Sequence, residues 1–460
     1  MNETEKPKQP LPLWRRLVLI GVLGAIILLL GVMLASYIAG KQLGEELVRI
    51  DQRGEPLTFT ELVQADTGVV SAEDNATGHY VGALINIAPE SLENLQRFNS
   101  FYRGKMKTLS MDEIPEELRE AIAQNLTGSQ PLFEKLDIGS SLPLPYFDIG
   151  IEQGIQICRT RLVRVKTAAL LVSLRTMDLV VRDNDDAAAS SIVSLLKLIR
   201  VFDSHPTLIL SAVKTELVAL ACEDIYLLLE LGDPSEESLL KLQEALSEVV
   251  SNGSLLKMFY AERVYQLQIG RNYFPEKVTS ELLPDNAPNL PERIPLSSTF
   301  LGRFRIRRRS INFLRDLDSL ISASRHPWPE PLNAFDNIVQ SADRTAKIIP
   351  IGRNFILRYA EMLVRVRSSL LTVMIERYRG SHKDQFPGSL DVLVPTYIEA
   401  VPSDPFTKNK LLYGYDEKGY TVYSAFINRK DDNGSINMKT KGEAPLDLGY
   451  RIGLYDESTQ

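Results

Sequence analysis

Cysteine, tryptophan and histidine are scarce in this 460-residue chain, with two, two and four residues respectively. Two cysteines cannot build a disulfide framework, and Cys158 and Cys222 stand at no metal-ligand spacing from each other or from a histidine, so a zinc site is not expected. Both fall within apolar helical patterns and read as small buried hydrophobes; the alternative is one bridge between neighbouring helices in an oxidising compartment. His79, His205, His326 and His382 are scattered, and their spacing supports no histidine catalyst or metal centre. G-x-S-x-G, H-E-x-x-H, Walker and Rossmann fingerprints are missing as well, which withdraws sequence support from those hydrolase and nucleotide-binding classes. Cations are in deficit: the formal charge of −7 argues against nucleic acid as a partner, because phosphate binding requires a cationic surplus.

Long hydrophobic runs are also few, and the single clear one is Leu17 to Gly40, without a charged residue. As a helix it is long enough to cross the ~30 Å hydrocarbon core of a bilayer. Trp14, Arg15 and Arg16 precede it and Tyr37 with Lys41 closes it, as interfacial rings and cations do. A cleaved export signal would have a shorter apolar stretch and a small residue where Tyr37 stands, three before the best cleavage site, so an uncleaved anchor is expected. Lys6, Lys8, Arg15 and Arg16 lie before the span and Lys41, Arg49 and Arg53 after it. The tight Arg15-Arg16 doublet reads as a cytoplasmic N-terminus with an exported body, in a cell inner membrane crossed once.

The chain as a whole is 44% hydrophobic and 24% charged, ordinary globular composition. The expected layout is a cytoplasmic tail (1–16), the span (17–40), a mixed helical and loop region (41–150), a helical domain (151–379) and a small module (380–460). Lys41 to Arg53 reads as an amphipathic helix continuing or abutting the span and stopping at Gly54. A second element begins over Thr58 to Val63, with Thr58 or Thr60 as its cap. Apolar residues from Ile151 through Cys158, Leu162, Val165, Ala169, Val172 and Met177 recur at helical steps. Helices over 186–202, 208–231 and 235–250 follow, with turns at 183–186 and 232–235 suggesting two antiparallel hairpins. Their 48-residue spacing raises a helical repeat, although no shared motif supports one. Five prolines between 271 and 296 make that stretch a connection. Helices are expected again over 298–325, 332–347 and 353–379. Beyond Gly380 short strands are expected, Tyr420 to Phe426 alternating apolar and polar.

Several constellations could carry chemistry. Arg303, Arg305, Arg307, Arg308 and Arg309 put five guanidinium groups in seven residues, a candidate patch for anionic headgroups, wall polymers or a partner protein. On a helix, however, they spread around the circumference, so several must pair with acids or face water. Asp183, Asp185 and Asp186 resemble the start of a calcium loop without its glycine and closing glutamate, and a helix cap accounts for them. Ser194…Lys197 and Ser254…Lys257 match S-x-x-K without the companion motifs of serine acyl enzymes. Asn75, Asn125, Asn252 and Asn433 fit a glycosylation sequon and equally suit turns or caps.

Residues Tyr378, Phe386-Pro387, Ser389-Leu390, Leu393, Tyr397, Pro402, Asp404-Pro405-Phe406, Tyr413, Tyr423-Ser424 and Asp431-Asp432-Asn433-Gly434 resemble the C-terminal half of the major pseudopilin of type II secretion. The resemblance implies a helix, a proline-flanked loop and a small sheet ending in a calcium-holding loop. Asp431, Asp432 and Asn433 are then the candidate calcium ligands. The span lacks the family's early glutamate and more than 330 residues separate it from the sheet, so pilus assembly is not expected, while Phe426 departs from the glycine of the family's calcium loop. Gly54 to Leu62, with Asp74-Asn75-Ala76 and Tyr80, is similar to segments of large envelope proteins of planctomycete-type bacteria, a likeness that implies location but no activity. The chain is therefore expected to be mainly α, with a transmembrane helix, an irregular antiparallel helical domain and a small α+β module. Its expected role is a scaffold or interaction protein of the envelope; the alternative is an envelope hydrolase using carboxylates of the helical domain, which a deep pocket gathering two buried acids would favour.

Overall fold

The computed structural model describes residues 12–64, 75–87, 92–107, 115–252 apart from 145, 152 and 154, 255–272, 300–341, 350–436 and 446–453. The chain divides into two compact units, Met1–Leu57 with Arg263–Leu317 and Thr58–Glu262 with Asp318–Gln460. The expected connection over 271–296 lies outside the described residues from 273 onward.

In the first unit, α1 (Leu13–Gln52) joins the apolar run and the amphipathic segment into one helix of 40 residues. It is long and apolar enough to cross a membrane. Its large apolar side chains from Leu13 to Leu30 are exposed, whereas Ser36, Ala39 and Ile50 are buried. The helix ends where Gly54 takes φ of +66°, a left-handed conformation that costs glycine nothing. Packing beside the second half of α1 comes from α12 (Phe300–Ser324), through Arg307 to Ser36 and Arg315 to Glu46.

The second unit is built from helices whose apolar faces meet in one core. Its elements are α2 (Phe59–Gln64), α3 (Ala76–Leu84), α4 (Leu92–Lys107), α5 (Glu116–Gly128), α6 (Gln130–Ser140), α7 (Ile155–Val181), α8 (Asp185–Ile199), α9 (Leu208–Leu231) and α10 (Glu236–Asn252). After these come the first part of α11 (Leu255–Asn272), up to Glu262, then α13 (Glu330–Ser341) and α14 (Pro350–Ser381). Helix starts obey local chemistry: the Asn75 side chain accepts from the Thr77 amide, and Thr207 caps α9. Pro331 occupies the first turn of α13, where a missing amide hydrogen is harmless.

Tertiary packing departs from the hairpin expectation at one place. Helix α8 returns onto α7, as the three-residue link requires, but α10 packs on α8 and α14 while α9 packs on α14, α8 and α7. The second expected hairpin is thus opened, and the two halves do not form a repeat. The reason lies in α14, whose residues from Ser368 to Ile375 are all buried. A helix covered on all sides needs partners all round, and α9 and α10 supply them.

Strands β1 (Leu412–Tyr415), β2 (Tyr420–Ser424) and β3 (Leu448–Ile452) form an antiparallel sheet in the order β1-β2-β3. Leu412 pairs with Tyr423, and Val422 with Tyr450. Strands β2 and β3 lie on α14, and β3 also on α9, so sheet and helices share one core. The Tyr420 hydroxyl, fully buried, donates to Glu376 of α14 at 2.6 Å. Gly449 lets two strands approach, because a Cβ there would overlap the Val422 carbonyl oxygen and come within 2.6 Å of Tyr423 Cα. Gly449→Ala is expected to cost about 1–3 kcal/mol. Amide exchange should quicken over Tyr420–Ser424 with helical circular dichroism unchanged.

Candidate functional sites

The five arginines do not act as one cluster. Arg307 turns to α1, donating from Nη1 to the Ser36 carbonyl at 2.8 Å and to its hydroxyl at 3.2 Å. Arg305 and Arg308 are exposed. Arg303 and Arg309 belong to the same helix, with side chains outside the described part. Gly40 makes room for Arg307, whose Nη1 would lie 3.1 Å from a Cβ at that position.

The C-terminal loop is closed by its own carboxylates. Asp431 accepts from the Tyr423 hydroxyl at 3.0 Å and the Asn433 amide at 2.9 Å, and Asp432 accepts from the Asn428 side chain at 2.7 Å. Asp447, fully buried, accepts from the Asp432 and Ser435 amides at 3.2 and 3.0 Å. Burial, followed by the charges of Asp432 and Asp431, outweighs those amides and raises the Asp447 carboxyl above its ordinary range. The oxygens are of the hard type that calcium takes. Among the described residues, however, no three acidic, histidine or cysteine side chains converge on a point. Asn433 and Gly434 turn the chain with φ of +59° and +72°. Upstream, Asp404 is the hub of the proline-flanked loop: it accepts from the Phe406 amide, the Thr407 and Ser424 hydroxyls and the Ala425 amide.

The acidic turn at 183–186 has a structural use that differs from a cap of its own helix. Asp185 Oδ2 accepts from the Asp233 amide and Asp186 Oδ1 from the Ser235 amide, each at 2.8 Å. The backbone amide of Ser235, aided by side-chain hydrogen bonds, holds the Asp186 carboxyl below its usual range. Asn184 occupies the cap position of α8 without a side-chain hydrogen bond. Gly232 permits the clasp, since a Cβ there would meet Asp185 Oδ1 at 2.5 Å.

Ser194 and Lys197 serve different partners, Asp137 at 2.8 Å and Glu248 at 2.6 Å, so no serine-lysine pair forms there. Ser254 lies outside the described residues. Cys158 and Cys222 are buried and free, and burial pushes both thiols up to about 11. They are not bridged. His205 is packed edge-on against the rings of Phe59 and Tyr146.

Two buried ion-pair sites were not legible in the spacing of residues. In the helical core, Arg103 of α4 donates from Nη2 to Asp224 of α9 at 2.6 Å and to Ser173 of α7 at 2.9 Å. The Ser173 hydroxyl donates to Asp224 at 2.9 Å, and Asn99 joins through Arg103 and the Leu170 carbonyl. Burial drives the Asp224 carboxyl up to about 6, against the lowering charge and hydrogen bond of Arg103. In the first unit, Arg263 donates to Glu55 Oε2 at 2.6 Å and to the Pro56 carbonyl at 3.1 Å, with both side chains buried. Burial would raise the Glu55 carboxyl, but hydrogen bonds and charge from Arg263 and Arg53 hold it below its usual range. Chemically, Asp224 is a proton acceptor with no exposed surface. It joins three helices and presents nothing to a solute.

Compared with known proteins, the chain matches no family model, and no characterised protein or solved structure shows significant similarity to it.

Proposed function

We propose that this protein is a membrane-anchored scaffold of the bacterial envelope, held by α1 and presenting its helical body to a partner protein or wall polymer outside the inner membrane. The observation that carries this reading is the use made of buried carboxylates. Asp224 ties α4, α7 and α9 together, Glu262 accepts from the Leu208 amide, and Asp404 and Asp447 close loops. Acids spent on tying helices and loops together serve shape, and a shaped helical surface serves binding. A second reading, hydrolysis of an envelope substrate, would require the helices to open around Asp224, whose carboxyl has no exposed surface.

Photo-crosslinkers placed one at a time at exposed body positions in intact cells distinguish the two readings. The scaffold reading expects discrete adducts with one macromolecule from neighbouring positions. It is overturned by an absence of adducts at every position combined with Asp224-dependent turnover by the purified chain. Protease added to spheroplasts should digest the body and spare α1, whereas protection of the body would place it in the cytoplasm. Calcium in the C-terminal loop remains part of the proposal: it should raise the melting temperature in wild type and not in Asp431→Asn.

A further inference from the structure

The exposed arginines of α12 sit at a definite height along α1. Arg307 reaches Ser36 and Arg315 reaches Glu46, at sequence separations of 271 and 269. A nearly constant separation means that the two helices run in the same direction. Subtracting about 270, the mean of those separations, places Arg305 and Arg308 level with Ala35 and Ile38, in the last turns of the uncharged run.

That height coincides with a membrane surface. Trp14 and Tyr37, 61% and 69% exposed, are separated by roughly 35 Å at 1.5 Å per residue, which suits two interfacial belts around a ~30 Å core. A guanidinium held in hydrocarbon is costly, so the Arg307–Ser36 contact marks the zone where headgroups begin. Leu17 to Ala35 then spans about 28 Å, matching the core. Arg305 and Arg308 are three residues apart and share a side of α12. Both are exposed, and neither makes a hydrogen bond or ion pair among the described residues.

Resting on the reading that α1 crosses the bilayer, we propose that Arg305 and Arg308 form a binding site for the phosphate of anionic phospholipid headgroups. Arg307 positions it by fastening α12 to α1. Lipid, and not free phosphate, is the ligand because the site lies beside the span at headgroup level, where anionic lipid is concentrated. Two guanidinium forks three residues apart offer the charge and geometry that a phosphodiester takes.

The full chain in neutral detergent, titrated with phosphatidylglycerol or phosphatidylcholine and read by native mass spectrometry, tests the assignment. Wild type should retain phosphatidylglycerol preferentially. The Arg305→Gln/Arg308→Gln variant should lose that preference roughly 25-fold, about fivefold for each arginine near an anionic surface. Lys383→Gln/Lys430→Gln, an equally exposed pair on the body, should retain it. Equal loss in the control pair, no preference in wild type, or displacement by millimolar inorganic phosphate alone would overturn the site. Carbonate washing of membranes separates the two failures. Release of the chain defeats the spanning reading and the site with it, whereas retention without lipid preference defeats the site alone.

Discussion

Asp224→Ala is expected to lower the stability of the helical body by about 3 kcal/mol, the lower end of what losing one partner of a buried ion pair costs. The loss arises because Arg103, 7% exposed, keeps its charge in the core after its 2.6 Å acceptor has gone. Glu223, 3.5 Å from Arg103 Nε and partly exposed, retains some compensation. The urea midpoint of the detergent-solubilised chain at pH 7.5 measures the effect. Asp224→Leu with Arg103→Leu should recover most of it, since removing both charges leaves none stranded. A double variant as unstable as the single one would mean that the pair's contribution is packing, not charge.

The pH dependence of this group has a definite sign. Its carboxyl is raised to about 6 in the fold, above an ordinary aspartate at ~3.9. Its contribution to stability is therefore fully present below the unfolded value and is lost as pH rises through about 6. Relative to wild type, Asp224→Asn should flatten the melting temperature between pH 4 and 7.

Glu55→Ala carries the other large effect, about 3–5 kcal/mol, confined at first to the segment that follows α1. Arg263, 1% exposed, loses the carboxylate to which it donates, and the turn at Gly54 loses its tie. Trypsin should cut after Arg53 in the variant and not in wild type, before any global unfolding is seen. The pH sign here is opposite to that of Asp224. The Glu55 carboxyl is lowered, so its contribution is present above the ordinary glutamate range and is lost as pH falls through the lower folded value. Acidification should therefore expose Arg53 in wild type and change little in Glu55→Gln. Two arginines attend Glu55 and one attends Asp224, and that difference decides whether charge or burial wins.

Features with a local cause are legible in the sequence. The limits of α9 at Leu208 and Leu231 and the stop at Gly54 follow from spacing and backbone chemistry within a few residues, whereas β2 does not keep the expected alternation, because Val422, Tyr423 and Ser424 are all buried between sheet and helices. Arg303 to Arg309 and Asp431 to Asn433 were visible as clusters. Their roles depend on partners in distant sequence, Ser36 for Arg307 and Tyr423 for Asp431.

Composition and periodicity alone determined that this protein has one long apolar helix near its N-terminus, that the rest is mainly helical, and that strands gather near the end, because each is a property of neighbouring side chains. Only the tertiary structure decided that α10 joins α8 and α14, that Asp185 and Asp186 clasp the turn 48 and 49 residues onward, and that Arg103 meets Asp224 across 121 residues. An apolar face or an unpaired charge specifies the kind of partner it needs, and burial in one shared core selects which partner it finds.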